Sequence, residues 1–248
     1  MLLAGARAHA QQITAVPNRP TFASTAETVQ SGVLETETGF ETGDGLQDLN
    51  ALLKFGLWKN LELRFSNDPI IRKSGVSGFG DVGAGAKLRL VSEARVRPTL
   101  SLLYTATFPT GGDGVSAGAM THAVTVLVSK DFGKHHFDAN EGVQFVGRNG
   151  PGQSGFDRNY FTALAYSYPF TRRWGMTAEA AGFSHLNAAN PASMTLLGAA
   201  TCTVSSRLVL DAGVYVAAFG NLPRVTGFAG FTYSIADLYH RHDHVPPP

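Results

Sequence analysis

The stretch from Asp48 to Phe65 constrains the fold most. Leu49, Ala51, Leu53, Phe55 and Leu57 alternate with Asn50, Leu52, Lys54 and Gly56. After the polar break Trp58-Lys59-Asn60, Leu61, Leu63 and Phe65 alternate with Glu62 and Arg64. Period-two alternation on both sides of a short turn predicts an antiparallel hairpin, one face apolar and the other carrying full charges. The apolar face must be covered. The same unit recurs to the end of the chain, and almost no segment has the helical period that could supply a cover. Lipid is the remaining cover. The pattern therefore predicts an all-β fold, an antiparallel up-and-down transmembrane β-barrel of about twelve strands.

Composition agrees. Charged residues make up 16% of the 248, against roughly 25% in soluble domains. An alternating wall dilutes its apolar residues, so no run approaches the ~18 residues of a spanning helix. Lys+Arg 20 and Asp+Glu 19 nearly cancel, which leaves no global field to gather nucleic acid. The partners expected are outer-membrane lipid and a small-molecule solute. The lone Cys202 forbids an internal disulfide and fits a strand as a small apolar wall residue.

The alternation begins at Gly32. Leu34, Thr36, Thr38 and Phe40 face one way, and Glu35, Glu37 and Glu41 the other. Later, Val82, Ala84, Ala86, Leu88 and Leu90 oppose Asp81, Lys87 and Arg89, and similar segments follow to Ile235. In the segment 137–146, Glu141 falls in register with Phe137, Val143 and Phe145. A carboxylate on the lipid face at mid-membrane is costly, and a register-shifting bulge, for which Gly142 offers a place, is one escape from it. Short connections at 58–60, 91–96, 131–135, 170–173 and 205–207 alternate with longer ones at 66–78, 109–120, 147–158, 184–192 and 219–224. That asymmetry predicts short periplasmic turns and longer external loops, with both chain ends periplasmic. Leu53, Phe55, Leu63, Leu88, Leu102, Val126, Leu196 and Leu210 are expected outward. Trp58, Tyr104, Tyr168 and Trp174 are expected at the membrane interfaces.

Residues 1–10 read MLLAGARAHA, and Ala8-His9-Ala10 fits the cleavage site of a signal peptide truncated at its start. Residues 11–30, with Pro17 and Pro20, form an extended lead-in that lies in the periplasm or the lumen. The barrel is expected over 31–235 and a His/Pro-rich tail over 236–248.

The inward charges are the site candidates. Glu35, Glu37, Glu41, Glu62 and Asp81 share a face with Lys54, Arg64, Lys87 and Arg89. Charges inside a barrel must be paired or hydrated. They form either a selectivity surface or gate, or a structural network filling a narrow lumen, since about twelve strands fall between the filled small barrels and the open porins. Arg19 of the lead-in is the candidate to meet the inward acids and plug the lumen.

Enzyme-like motifs carry bland readings. Gly78-Phe79-Gly80-Asp81-Val82-Gly83 spells G-x-G-x-x-G but lacks the following helix that phosphate binding needs. Gly114-Val115-Ser116-Ala117-Gly118 spells G-x-S-x-G on a flexible stretch, with His122 as the one nearby base. His240, His242, Asp243 and His244 are metal-ligand types on a Pro-ended tail, which reads as a solvated tract, and His135-His136 reads as interfacial. No catalytic residue, cofactor or resident metal is expected.

Several stretches together carry a resemblance: Asn18-Arg19-Pro20-Thr21; Glu27-Thr28-Val29 with Gly32-Val33-Leu34-Glu35; Gly78-Phe79-Gly80-Asp81; Phe108-Pro109-Thr110-Gly111; Ser129-Lys130-Asp131; and Leu210-Asp211-Ala212-Gly213. In this order and spacing the chain resembles an outer-membrane β-barrel family of transporters associated with phenol-degradation pathways. The resemblance implies outer-membrane placement in a Gram-negative-type bacterium and passive passage of small, apolar or aromatic molecules. A closed structural or interaction barrel without transport is the alternative.

Overall fold

The computed structural model describes residues 12–150, 152–187 and 190–239. Residues 1–10, read above as a truncated signal peptide, and the histidine tract 240–244 lie outside the described residues. Thirteen strands follow in order: β1 (Val33–Gly43), β2 (Leu46–Trp58), β3 (Leu61–Lys73), β4 (Val76–Gly78), β5 (Val82–Val91), β6 (Thr99–Phe108), β7 (Thr121–Phe132), β8 (His135–Gly147), β9 (Phe156–Pro169), β10 (Trp174–Phe183), β11 (Ser193–Ser205), β12 (Leu208–Phe219) and β13 (Val225–Asp237). Sequence neighbours pair antiparallel, β13 returns to β1, and β3 pairs with both β2 and β5. β4 pairs with β3 alone. The wall is therefore a closed twelve-stranded antiparallel barrel with β4 as a short flap on its external rim.

The distribution of side chains is inverted relative to a soluble protein. Among the largest fully buried side chains are Lys54, Lys87, Glu35 and Glu62, while Leu53, Leu88, Leu102, Val126, Leu196 and Leu210 are exposed. Phe55 and Leu63 share that outer face by alternation, and Tyr239 packs its ring 5.6 Å from Phe55. An apolar outside around a polar inside is stable where hydrocarbon is the solvent. Aromatics ring both ends of this surface. At the periplasmic end His135 lies 5.9 Å from Tyr166 and 5.1 Å from Tyr168, and Trp58 and Trp174 are exposed at the same end of their strands. At the external end Tyr104, His122 and Phe156 form a second group. These are the interfacial girdles of an outer-membrane barrel, and they set the bilayer position of the chain in the bacterial outer membrane.

Four expectations are corrected. The loop assigned to 66–78 is a strand extension: β3 runs on to Lys73, turns at Ser74-Gly75 and returns as β4. Asn67-Asp68-Pro69 hid its alternation, and a register shift between Leu49 and Ala51 absorbs the irregularity. No bulge occurs at Gly142. Glu141 pairs with Val126 and Thr162 in uninterrupted ladders, stays on the outer face, and accepts a 2.5 Å hydrogen bond from Thr162 Oγ1. A one-residue slip would have turned the rest of β8 inside out, a greater cost than one hydrogen-bonded carboxyl. Asp81 precedes β5 instead of lying within it. The last strand reaches Asp237, which pairs with Val33, so it runs two residues past the expected boundary at 235.

Candidate functional site

The lead-in runs inside the barrel without regular secondary structure. Its backbone donors and acceptors therefore need other partners, and inward side chains of the wall supply them. Glu35 accepts from the Val16 amide (3.0 Å), and Glu37 accepts from Asn18 (2.8 Å) and Arg19 (3.1 Å). Glu62 accepts from Val29 (2.9 Å), Ser129 from Ala26 (2.7 Å) and Asn140 from Ser24 (2.7 Å). Glu179 takes both Phe22 (2.9 Å) and Ala23 (2.6 Å). The lysines do the converse: Lys54 donates to the Val16 carbonyl (2.6 Å), and Lys87 to those of Thr25 (3.0 Å) and Glu27 (2.6 Å).

The charges also neutralise one another. Lys54 Nζ stands 2.7 Å from Glu35 and pairs with Glu37. Lys87 and Arg64 each lie 3.6 Å from Glu62. Arg89 pairs with Glu27 of the lead-in, whose carboxylate also accepts from Thr99 (2.6 Å). Arg19 donates to both oxygens of Asp211 (3.1 and 3.2 Å) and to Asn50 (2.9 Å), with its guanidinium 6.0 Å over the Phe228 ring. Burying such a set is tolerable only because nearly every charge meets an opposite charge and hydrogen bonds together.

The remaining candidates sit apart. Glu41 accepts from Asn50 (3.0 Å) and from the Tyr215 hydroxyl (3.0 Å), toward the external end. Asp81 lies at the external rim. Burial pushes its carboxyl up, but hydrogen bonds from the Ser116 hydroxyl and from the Ala117 and Gly111 amides outweigh this and hold it below the usual range. Ser116 is thus engaged with a rim carboxylate, while His122 turns outward with its Nδ1 2.7 Å from the Tyr104 hydroxyl. The structure does not bring the two together as a nucleophile and base.

Several groups that hold the lead-in were missed from the sequence: Asn140, Ser129, Glu179 and Asp211. Glu179 and Asp211 are each the one acid of an otherwise small or apolar strand, and Asn140 and Ser129 are uncharged residues among more conspicuous polar neighbours. The one signal was parity, since Asp211 and Glu179 occupy inward positions of β12 and β10.

The lead-in divides the lumen without filling it. A cavity of about 960 Å³ opens on the periplasmic side, lined by Thr14, Glu27, Arg89 and Asp138 among others. A second, about 670 Å³, lies on the external side, lined by Arg64, Asn50, Tyr215 and Phe228 among others. Asn18, Arg19, Pro20 and Thr21 line both. Aromatic rings project into the external half: Phe22 stands edge-on to Phe183 (5.7 Å) and Tyr215 (6.3 Å), and Phe161 stacks on Phe183 (5.9 Å).

Solved structures share this architecture. The COG4313 outer membrane channel from Pseudomonas putida F1 superposes with a TM-score of 0.67 at 12% identity, covering 85% of this chain and 98% of that one. The NanC porin gives 0.63 at 10% identity, with 82% and 100% covered. The KdgM porin in complex with disordered oligogalacturonate gives 0.58 at 9% identity, with 82% and 99% covered. At these identities the likeness is one of fold. No curated protein shows significant similarity to the sequence. The model of the family described as "Putative MetA-pathway of phenol degradation" matches residues 17–235, nearly the whole barrel and the lumenal segment with it, and the chain belongs to that family.

Proposed function

We propose that the protein is a passive outer-membrane channel for small apolar or aromatic molecules, held closed between passages by residues 12–30. The observation that carries this is the partition: Asn18 to Thr21 are common to the cavities on either side. A lumen filled for structural reasons alone would need no such chambers. In this reading the inward charges serve chiefly as anchors for the lead-in, and Arg19 and its partners form the latch of the plug. Support for an aromatic solute comes from Phe22, Phe161, Phe183, Tyr215 and Phe228 in the external half. The porin and channel names of the three fold relatives also favour a route over a closed barrel. No chemistry is assigned to Ser116 or to the histidines.

A second reading, a closed structural barrel, is favoured by the complete burial of Lys54, Glu35, Glu62 and Lys87. Solute uptake separates the two. Proteoliposomes carrying the full chain are expected to admit phenol and benzyl alcohol faster than protein-free vesicles. Equal rates, with no gain after deletion of residues 12–30, would leave the structural barrel as the better account.

A further inference from the structure

We propose that the external chamber holds the carboxylate of a small aromatic monoacid, with Arg64 as its counter-ion, an inference that rests on the channel reading above. Arg64 is 8% exposed and lines that chamber. The nearest carboxylate oxygen, on Glu62, is 3.6 Å from Nε, too long for a hydrogen bond. Glu62 is in any case held by the Val29 amide and faces Lys87 as well. Among the described residues the Arg64 guanidinium makes no hydrogen bond, although it carries five donors in a planar fork. A buried cation with unused donors facing an open chamber is incomplete. The fork matches a carboxylate in a two-point contact.

The wall beside Arg64 is shaped for such a group. The register sets Gly85 next to Arg64 and Gly83 next to Ser66, with Thr105 beyond Gly85. The two inward glycines add no side chain of their own here, and the Ser66 and Thr105 hydroxyls lie over them. A Cβ at Gly85 would collide with the Tyr104 carbonyl oxygen and stand 3.1 Å from Thr105 Oγ1, so only glycine keeps the strand and the hydroxyl where they are. The Ser66 and Thr105 hydroxyls have no hydrogen-bond partner among the described residues, and both residues line the chamber. The same chamber carries the ring faces of Phe22, Tyr215 and Phe228, with Tyr215 and Phe228 stacked at 6.2 Å. The chamber that Arg64 lines thus also offers aromatic surface to a flat ring. Glu41 and Asp68 border the chamber too, so a second negative charge on the ligand would meet repulsion. The fit is to a monoacid.

The test uses the purified full chain in detergent, with benzoate, benzyl alcohol and phthalate as titrants in a calorimeter. Benzoate is expected to bind roughly tenfold or more tighter than either comparator, the scale of one charged hydrogen-bond pair. Arg64→Gln should weaken benzoate by roughly tenfold or more and leave benzyl alcohol unchanged, Arg64→Lys should fall between, and Thr105→Val should weaken benzoate several-fold. Heat-modifiable gel mobility identifies variants that still form the barrel. Equal affinity for benzoate and benzyl alcohol, or undiminished benzoate binding by folded Arg64→Gln, would overturn the proposal. Arg64-dependent benzoate binding by a protein that admits no solute into liposomes would uphold the subsite and refute the channel. Uptake without any benzoate preference would do the reverse.

Discussion

Replacing Lys54 by Met should release the lead-in while sparing the wall. Lys54 is fully buried between Glu35 and Glu37 on β1, and it also holds the Val16 carbonyl. Met matches the stem in volume, so the cavity contribution is small. The charge is another matter. Two inward carboxylates lose their shared cation, and breaking a buried pair from one side costs about 3–5 kcal/mol. Both carboxylates can recover by taking up water, but only if the lead-in that now covers them moves away. The cost therefore falls on the docked segment, and its open population should rise by roughly a hundredfold to a thousandfold, at about 1.4 kcal/mol per factor of ten. Hydrogen exchange of the Val16, Asn18 and Arg19 amides reads this directly, because Glu35 and Glu37 are their acceptors. Protection there should drop by about that factor, while β8 and β9 amides keep theirs. Glu37→Gln added to Lys54→Met should restore part of the protection. Unchanged protection in folded Lys54→Met would show that the inward charges are not what holds the lead-in.

Other outcomes follow from single contacts. A Cβ at Gly56 would land on the Gln30 backbone carbonyl, so Gly56→Ala should cost about 1–3 kcal/mol by overpacking, seen as a lower midpoint in urea. Glu141 is a carboxyl on the lipid face between the two aromatic girdles, so Glu141→Leu should stabilise the inserted barrel, and Glu141→Lys should fold into bilayers about 2–4 kcal/mol less stably than Glu141→Leu. Asp81 has its carboxyl held below the usual range by Ser116 and the rim amides. A lowered folded value means that its contribution is present above the unfolded value near ~3.9 and is lost as pH falls through the folded one. A nitroxide placed at Asp113 should therefore gain mobility only at acid pH, and Asp81→Asn should show that mobility at neutral pH.

The fold was legible because one hairpin, Asp48 to Phe65, displays both faces and a turn within a few residues, and because no other segment could cover its apolar side. What alternation cannot supply is offset. It set Glu35, Glu37 and Lys54 on one face, but the pairing of Lys54 with Glu35 across β1 and β2 depends on a register that the turn at Asp44-Gly45 fixes. Nor could it show that wall side chains bind the backbone of the lead-in, since a backbone partner, donor or acceptor, leaves no mark in the sequence. Glu179 and Asp211 were passed over for the same reason: one acid per strand has no pattern. Glu141 misled because its compensation comes from Thr162 on the next strand, not from a shift in its own.

Single-channel recording in planar bilayers tests the central claim, that residues 12–30 close a lumen which is otherwise open. The full chain is expected to conduct weakly and in brief openings. The same chain without residues 12–30 should remain open with a several-fold larger conductance, because the chambers on either side of Asn18 to Thr21 then join. Equal conductance of the two proteins, or none from either, would contradict it.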